Sequence, residues 1–389
     1  MQIDSNPLAQ PFTIKNIKIK NRIAKSATQE NMTDDKGIIK QSYYDFYEKL
    51  SEGGVGLIIT GHMYINKDRH ILGMASADSD EQIPHLQKVT SAVHKNGSVI
   101  FAQLNYARPN FLPGKKSLVN SLSINEITDI VEDFGRSATL VKKAGFDGIQ
   151  IHGAHGYVIS QFLSKINRRR DEYGGSLKNR QRFCLEVYRK IREKVGEEFP
   201  VIIKLDSYLR SFETIPPLRI AIKLKEALDT AKKFEEAGID AIEVSFFQAS
   251  RGAIPLKESI TCQLKERGNV KKAAAVGILL TPIDLILNRN FWFKPNYNIE
   301  HIKIFKKNLK IPVLAGSCFR DPDYMKRVIE NGESDMICMA RPLICEPDFP
   351  SRILNGSKDV SACINCNLCG IFLIPNGKQL KCCFGKTSA

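Results

Sequence analysis

Residues 144–152 read AGFDGIQIH, and residues 237–245 repeat the pattern as AGIDAIEVS. In each stretch the end of a helix passes through a tight turn into an apolar strand. A looser version, NGESDMICM, occupies residues 331–339. A helix, a turn and a strand that recur along a chain form the unit of a repeated α/β architecture. The sequence therefore predicts an α/β fold built from successive βα units.

Short apolar and β-branched runs alternate with longer segments of helical periodicity along most of the chain. The predicted strands are residues 23–28, 55–60, 99–104, 148–153, 201–206, 241–245, 312–317 and 335–340. Their nearly continuous apolar character is typical of a parallel sheet that helices cover on both faces. Eight such units predict a (β/α)8 TIM barrel. An open dinucleotide-binding sheet is disfavoured because no G-x-G-x-x-G motif follows the first strand.

The segments between the strands carry helix-capping signals. Ser123 and Glu126 form an S-x-x-E capping box. Asp321 precedes Pro322 as the N-cap of a later helix, which is predicted to end near Gly332.

A long connection, residues 246–300, separates the sixth and seventh predicted strands. It contains the aromatic residues Phe291, Trp292, Phe293 and Tyr297. A connection of this length is either a lid over the barrel mouth or a helical hairpin that serves only packing.

The composition fits a soluble globular protein and excludes several classes. Hydrophobic residues make up 43% of the chain and charged residues 25%, and no apolar run reaches the length of a membrane span. The N-terminal MQIDSNPLAQPF lacks the features of a signal peptide, so we expect a cytoplasmic protein. The net charge is +15, but the lysines are spread along segments such as 222–233 and 301–310. A solvated basic surface is therefore favoured over a nucleic-acid site.

The end of the fourth predicted strand carries a dense polar group, IHGAHGY at residues 151–157. Residues three apart on a strand point to opposite faces. His152 and His155 therefore converge only if the chain leaves the strand between them, a turn that Gly153 permits. Active sites of TIM barrels lie at this end of the strands, and no further ligand with metal-site spacing is nearby. We interpret the two histidines and Tyr157 as a catalytic group.

This group begins a longer series of motifs. H-x-A-H-G-Y from His152 is followed by Q-F-L-S from Gln161, N-x-R-x-D-x-Y-G-G-S from Asn167 and N-R-x-R-F from Asn179. Together they resemble the old yellow enzyme family of FMN-dependent oxidoreductases, over about residues 10–350. The resemblance includes the barrel domains of 2,4-dienoyl-CoA reductase and trimethylamine dehydrogenase.

The resemblance implies a role for each residue of the group. In the family, the positions of His152 and His155 bind the oxygen of an electron-withdrawing group on the substrate. Hydride passes from flavin N5 to the β-carbon, and the tyrosine at the position of Tyr157 protonates the α-carbon. Preorganised donors at an oxygen that gains negative charge lower the barrier. We therefore expect an enzyme, an FMN-dependent NAD(P)H oxidoreductase that reduces activated C=C bonds of enones, enoates or enoyl thioesters.

The resemblance also implies a set of FMN contacts at other strand ends. Gln103 matches the glutamine that binds the flavin pyrimidine ring, and Lys204 takes the place of a cation near flavin N1. The other expected cofactor-binding residues are Ala27, Thr28, Gln29, Gly61, His62, Gly316, Ser317, Ala340 and Arg341. The last four match the phosphate-binding loops of the family.

A cysteine-rich tail, residues 351–389, follows the predicted barrel domain of residues 1–350. Its candidate metal ligands, Cys363, Cys366, Cys369 and Cys382, have the spacing C-x2-C-x2-C-x12-C. Thiolates favour zinc or an iron–sulfur cluster. The spacing resembles the [4Fe–4S] segment that follows the FMN barrel in trimethylamine dehydrogenase and 2,4-dienoyl-CoA reductase. Zinc and a tail without metal are the alternatives, and Cys383 is an alternative to Cys382.

Other functions remain as alternatives. One is an amine-demethylating dehydrogenase, although trimethylamine dehydrogenase has tyrosine at the position of His152. Another is an electron-transfer flavoprotein subunit that uses the cluster to serve a partner protein. RNA-modifying flavin barrels lack the histidine–tyrosine motif, so we expect no nucleic acid and no membrane as partners. Assembly of the chain into a homo-oligomer is left as an alternative.

Overall fold

The computed structural model describes residues 6–66, 68, 72–106, 117–210, 220–247, 275, 296–316, 319–370 and 377–384. Its strands are β1 Phe12–Ile14, β2 Ile17–Ile19, β3 Ile23–Lys25, β4 Leu57–Tyr64, β5 Val99–Asn105, β6 Gly148–Gly153, β7 Val201–Arg210, β8 Ile220–Ile222, β9 Ala241–Phe247, β10 Val313–Gly316 and β11 Met336–Met339. Its helices are α1 Gln41–Glu52, α2 Ile83–His94, α3 Ile124–Lys143, α4 Val158–Leu163, α5 Leu177–Val195, α6 Leu224–Ala237, α7 Ile299–Asn308, α8 Pro322–Glu330, α9 Arg341–Cys345 and α10 Phe349–Leu354.

Eight parallel strands close into a barrel, which confirms the predicted (β/α)8 fold. The order around the barrel is β3, β4, β5, β6, β7, β9, β10 and β11, and β11 returns to β3. Strand β8 adds an antiparallel edge to β7. Each of the eight predicted strand segments overlaps one barrel strand. A closed sheet has no free edge, so each barrel strand pairs with a neighbour on both sides.

The β1–β2 hairpin closes the N-terminal end of the barrel. Ile14 and Ile19 of the hairpin are fully buried in one cluster with inward residues from the strand starts, including Leu57 and Phe101. A second, larger apolar cluster lies between the strands and the surrounding helices. The hairpin seals one end, and the site therefore lies at the other, where the strands finish.

The predicted capping signals are confirmed. Ser123 accepts from the backbone N–H of Glu126, and the Glu126 side chain returns to the Ser123 backbone, so α3 begins with a complete capping box. Asp321 caps α8, whose last helical residue is Glu330, two residues before Gly332 at φ +65°. Both helices therefore start and end at positions that local chemistry dictates.

One prediction about strand length was wrong. Gly61 and His62 were expected to follow the second strand, but they lie within β4, which continues to Tyr64. The pairing of β4 with β5 shifts register between Ile59 and His62 and then resumes. An irregularity of this kind lets a strand continue while it redirects a side chain, and here the redirected side chain is that of His62.

The long connection after β9 falls almost entirely outside the described residues. Phe291, Trp292 and Phe293 lie outside them, and so does the choice between a lid and a packing hairpin. Tyr297, just before α7, is described and packs edge to face on Phe246. None of the described helices is both long and apolar enough to cross a membrane.

Candidate active site

The histidine–tyrosine group assembles at the C-terminal end of β6. His152 is the penultimate residue of the strand, and Tyr157 is the N-cap of α4. The turn between them was predicted at Gly153. That prediction was wrong, because Gly153 remains paired with Leu205 of β7. Left-handed backbone instead occurs at His155, with φ +62°, and at Gly156, with φ +75°.

Asp206 at the end of β7 stabilises this turn. A non-glycine residue in the left-handed region costs about 1–2 kcal/mol. Asp206 Oδ2 accepts the backbone N–H of His155 at 2.7 Å and the hydroxyl of Ser160 at 3.1 Å. Burial raises the pKa of Asp206 to about 7, although these two hydrogen bonds favour the charged form. The histidine–tyrosine motif did not predict this residue, because Asp206 lies 51 positions from His155 in sequence.

The side chains of the group contact one another and two neighbouring residues, Ser245 and His62. His152 Nε2 lies 3.2 Å from His155 Nδ1, and His155 Nε2 lies 2.8 Å from the Ser245 hydroxyl. The Tyr157 hydroxyl lies 2.9 Å from His62 Nε2. The rings of His152 and Tyr157 have their centroids 4.4 Å apart. The two imidazoles and the phenol are therefore close enough together to contact one small molecule.

Both histidines of the motif are neutral at physiological pH. Burial lowers the pKa of His152 and of His155 well below the ordinary value, and the positive charge of Lys204 lowers both further. A neutral imidazole carries a proton on one ring nitrogen and a lone pair on the other. Each can therefore donate one hydrogen bond to a ligand oxygen, with the tautomer set by the partner of the second nitrogen.

A chain of polar side chains crosses the barrel interior below this group. Gln103 Nε2 donates to Gln150 at 2.5 Å, and Gln150 Nε2 donates to Glu243 at 2.8 Å. Lys204 Nζ donates to Glu243 at 2.9 Å and to Ser26 at 2.7 Å. Because Ser26 follows β3 and Lys204 belongs to β7, on a distant part of the barrel, this last bond runs through the interior.

A second buried ion pair lies beside the first. Lys25, with no exposed surface, lies 4.0 Å from Glu30. Glu30 accepts the hydroxyl of Tyr47 and, at 2.8 Å, the backbone N–H of Gly61. A Cβ on Gly61 would fall 2.1 Å from the Glu30 carboxylate, so only glycine fits there. Burial lowers the pKa of Lys25 to about 8 and raises that of Glu30.

The polar groups at the barrel mouth fit the FMN that the resemblance implies. Among the described residues, Thr28 Oγ1 and His152 Nδ1 are buried atoms without a hydrogen-bond partner. A buried polar atom without a protein partner can form a hydrogen bond to a bound group. Gln103 and Lys204 contribute an amide and a cation inside the barrel. An amide and a cation beside unpaired polar atoms match the carbonyl, imide and N1 edge of an isoalloxazine ring.

The other expected cofactor contacts are only partly assembled. Ala27 packs against the inner apolar cluster, and Gln29 donates to Asn31 at 2.8 Å. Gly316 ends β10, where a Cβ would fall 2.7 Å from the Val244 carbonyl oxygen. Ser317 lies outside the described residues, while Ala340 is the N-cap of α9. The described residues thus include only part of the expected phosphate-binding site.

Arg341 and the cysteines of the tail line a common pocket. The pocket is formed by Cys363, Cys366, Cys369, Cys382, Cys383, Arg341 and neighbouring apolar side chains. Burial raises the pKa of Cys363, and raises that of Cys369 to about 12, whereas Arg341 lowers both. The donor chemistry suits a soft metal. No group of three or more His, Cys, Asp or Glu in the described ranges is arranged to hold a metal ion.

The tail is fixed against the barrel near the expected flavin site. The backbone N–H of Leu380 donates to the Glu30 carbonyl at 2.8 Å, and Asn31 Nδ2 donates to the Lys378 carbonyl at 3.1 Å. Glu346 binds the other end of the tail through the backbone N–H of Ala362 at 2.6 Å. The tail segment just before Cys382 therefore contacts the same loop after β3 that supplies Thr28.

Sequence reasoning missed the residues that support the site. Ser245, Asp206, Gln150 and Glu243 contact predicted site residues across 39 or more positions of sequence, for example the 90 positions from His155 to Ser245. One signal was present in the sequence, since a glutamate inside the apolar strand AIEVS needs a buried partner.

Comparison with known proteins identifies the family of the chain. The model of the NADH:flavin oxidoreductase / NADH oxidase family matches residues 7–115, 110–214 and 256–359. An NADH oxidase of Thermoanaerobacter brockii is 30% identical over 378 residues, which cover 91% of this chain and 52% of that protein. A cinnamate reductase of Clostridium sporogenes is 27% identical over 397 residues, which cover 92% and 54%. The chain spans about half the length of these two relatives.

The fold agrees as well. An old yellow enzyme homologue from Zymomonas mobilis superposes with a TM-score of 0.69 at 20% identity, covering 91% of this chain and 94% of that one. Identity at this level shows the fold alone. The family match covers more than half of the chain. The chain therefore belongs to the NADH:flavin oxidoreductase / NADH oxidase family, which confirms the resemblance to the old yellow enzymes.

Proposed function

We propose that this protein is an FMN-dependent reductase of activated C=C bonds, with NADH or NADPH as reductant and small enones, enoates or enoyl thioesters as substrates. The observation that carries the proposal is the cluster of two neutral imidazoles and a phenol above a charged, polar barrel floor. Imidazole N–H groups suit an oxygen that gains negative charge, and a phenol suits the carbon beside it.

The two histidines bind the substrate oxygen in this proposal. His152 Nε2 and His155 Nδ1 lie 3.2 Å apart, so both can reach one oxygen atom placed beside them. For both to donate, His155 must carry its proton on Nδ1. The Ser245 hydroxyl, 2.8 Å from His155 Nε2, selects this tautomer when it donates to that nitrogen. Ser245 is therefore a positioning residue for the oxyanion site.

Tyr157 supplies the proton. Bound FMN supplies the hydride that adds to the β-carbon. The Tyr157 hydroxyl then protonates the α-carbon, which has become strongly basic. His62 Nε2, 2.9 Å from the hydroxyl, holds its direction.

FMN would be held by Gln103 and Lys204 inside the barrel and by the loop containing Thr28. Its phosphate would be held by Gly316, Ser317, Ala340 and Arg341. A [4Fe–4S] cluster in the cysteine pocket belongs to the proposal too. The five cysteine side chains that line one pocket next to the β3 loop support it. Residues 1–350 then form the catalytic barrel, and residues 351–389 form the cluster segment.

Anaerobic half-reactions test the proposal. The purified protein is analysed for FMN and iron, reduced with NADH or NADPH, and mixed with cyclohexenone, cinnamate or an enoyl thioester. We expect the flavin band to bleach and then recover with at least one of these alkenes. A flavin that no activated alkene reoxidises contradicts the function. Bleaching by dimethylglycine would identify an amine dehydrogenase instead.

A further inference from the structure

Glu243 lies in the middle of β9 and is fully buried. Its carboxylate is saturated with donors. Ser26 Oγ and Lys204 Nζ reach Oε1 at 2.5 Å and 2.9 Å, and Gln150 Nε2 reaches Oε2 at 2.8 Å. Burial opposes ionisation of Glu243, but Lys204 and these hydrogen bonds outweigh it and lower the pKa below its ordinary value. A full negative charge therefore sits in the barrel interior at neutral pH.

This carboxylate connects two residues that are expected to contact FMN. Lys204 is bound to it directly, and Gln103 is bound to it through Gln150, whose Oε1 accepts from Gln103 Nε2 at 2.5 Å. Lys204 and Gln103 come from strands on different sides of the barrel, and Glu243 fixes both. A buried side chain held by directed bonds has little rotational freedom.

The carboxylate also decides how much positive charge faces the flavin. Reduced flavin is anionic near N1, and a cation there stabilises it relative to the oxidised form. The Glu243 charge, 2.9 Å from Lys204 Nζ, offsets part of that stabilisation. In an interior of low dielectric constant this effect is large compared with a surface pair.

We propose that Glu243 is a positioning residue that aims Lys204 and Gln103 at FMN, and that its charge lowers the reduction potential of the bound flavin. The inference rests on the proposed function, because it requires FMN above this part of the barrel. A low potential favours transfer of hydride from the reduced flavin to a substrate of comparably low potential, such as an enoate. Glu243 thus biases the enzyme toward weakly activated alkenes.

The test is the two-electron midpoint potential of the FMN-loaded protein, measured by anaerobic redox titration. Glu243→Gln retains the shape of the side chain and removes its charge. We expect the reduction equilibrium to shift at least tenfold toward the reduced flavin, a rise of about 30 mV. Glu243→Asp keeps the charge but withdraws it from Lys204, so its potential should rise by less.

Gln150→Leu is the control for positioning without charge. This substitution breaks the link between Glu243 and Gln103, so the FMN dissociation constant should increase several-fold. The equilibrium constant for flavin reduction should stay within about threefold of the wild-type value. If Glu243→Gln fails to fold, Glu243→Asp carries the test alone. Unchanged potentials in every soluble Glu243 variant overturn the inference.

The outcomes for the inference and for the function are separable. A wild-type protein that binds no FMN overturns both. FMN binding and alkene reduction with a potential that ignores Glu243 overturn the inference and leave the function standing. A raised potential in a protein that reduces no alkene supports the inference and rejects the reductase.

Discussion

The histidine–tyrosine group at the end of β6 and the cysteine pocket of the tail differ in how completely their geometry is formed. In the first, the side chains are within hydrogen-bond distance of one another. In the second, five cysteines share a pocket, yet no described group of ligands is arranged around a metal position. The first group is held by a closed sheet, which fixes strand ends without any ligand. The tail has little regular structure, so its geometry depends on what binds, as in other metal-dependent segments.

The largest expected effect is that of a substitution at Tyr157, which belongs to the first of these two regions. Tyr157→Phe removes the proton donor and should slow alkene reduction by about 10²–10⁴-fold, the usual range for a lost general acid. Reduction of the flavin by NAD(P)H should change little, because that step uses no proton from Tyr157. Stopped-flow measurement of each half-reaction checks both statements.

Tyr173→Phe is the matched control for this substitution. Tyr173 is buried, whereas Tyr157 is half-buried, and the Tyr173 hydroxyl donates to Glu186 at 2.9 Å, away from the cluster. Equal losses in the two variants would mean that Tyr157 acts on stability and not on chemistry.

The second prediction concerns Asp206, which supports the left-handed turn. Its pKa of about 7 in the folded protein is above the value of about 3.9 for an unfolded aspartate. The folded state therefore binds more protons between these values, and its contribution to stability falls as pH rises from about 4 to about 7. A difference of three pKa units corresponds to about 4 kcal/mol of unfolding free energy. Asp206→Asn should remove this dependence.

Denaturant unfolding of wild type and variant across that pH range measures the difference in unfolding free energy. Asp359→Asn, at an exposed aspartate of the tail, is the control and should leave the pH profile unchanged. Parallel profiles for wild type and Asp206→Asn would show that Asp206 does not titrate in this range.

The third prediction tests the tautomer of His155. Ser245→Ala removes the hydroxyl at His155 Nε2 and should reduce kcat for alkene reduction by about tenfold, since one hydrogen bond contributes about 0.5–1.5 kcal/mol. Ser245→Thr keeps the hydroxyl and should retain most of the activity. Nitrogen NMR of the imidazoles should show His155 protonated on Nδ1 in wild type and in Ser245→Thr but not in Ser245→Ala. An unchanged tautomer in Ser245→Ala assigns Ser245 to packing.

The smallest expected effect on the alkene reaction comes from the tail. Cys366→Ala should abolish iron binding, yet flavin reduced chemically should still transfer hydride to an alkene within about twofold of the wild-type rate. Cys184→Ala, at a buried cysteine of α5, is the matched control and should keep its iron. Full iron content in Cys366→Ala would remove this residue from the ligand set.

Much of the fold followed from local sequence patterns. Apolar runs, the capping box at Ser123 and the cap at Asp321 depend on neighbouring residues, and the structure contains each of them. The register shift at Gly61 and the turn at His155 did not follow, because partners distant in sequence determine both. Gly61 bonds Glu30, and His155 bonds Asp206, 51 residues away.

The candidate site divides in the same way. His152, His155 and Tyr157 lie in one motif, so sequence alone indicated them. Their supports, His62, Asp206 and Ser245, are spread over β4, β7 and β9, and only closure of the barrel brings them together. The metal positions remain a prediction from spacing, since the described tail supplies the donors without a formed site.

The most direct test of the central claim is a single turnover in D2O. Enzyme fully reduced by unlabelled NADH or NADPH is mixed anaerobically with one equivalent of cyclohexenone, and the product is examined by NMR and mass spectrometry. The account predicts reoxidised flavin and deuterium at the α-carbon, because the proton comes from Tyr157, whose hydroxyl exchanges with solvent; the β-carbon gains deuterium only to the extent that the N–H of the reduced flavin has exchanged before transfer. Flavin that stays reduced, or a product without deuterium at the α-carbon, would contradict it.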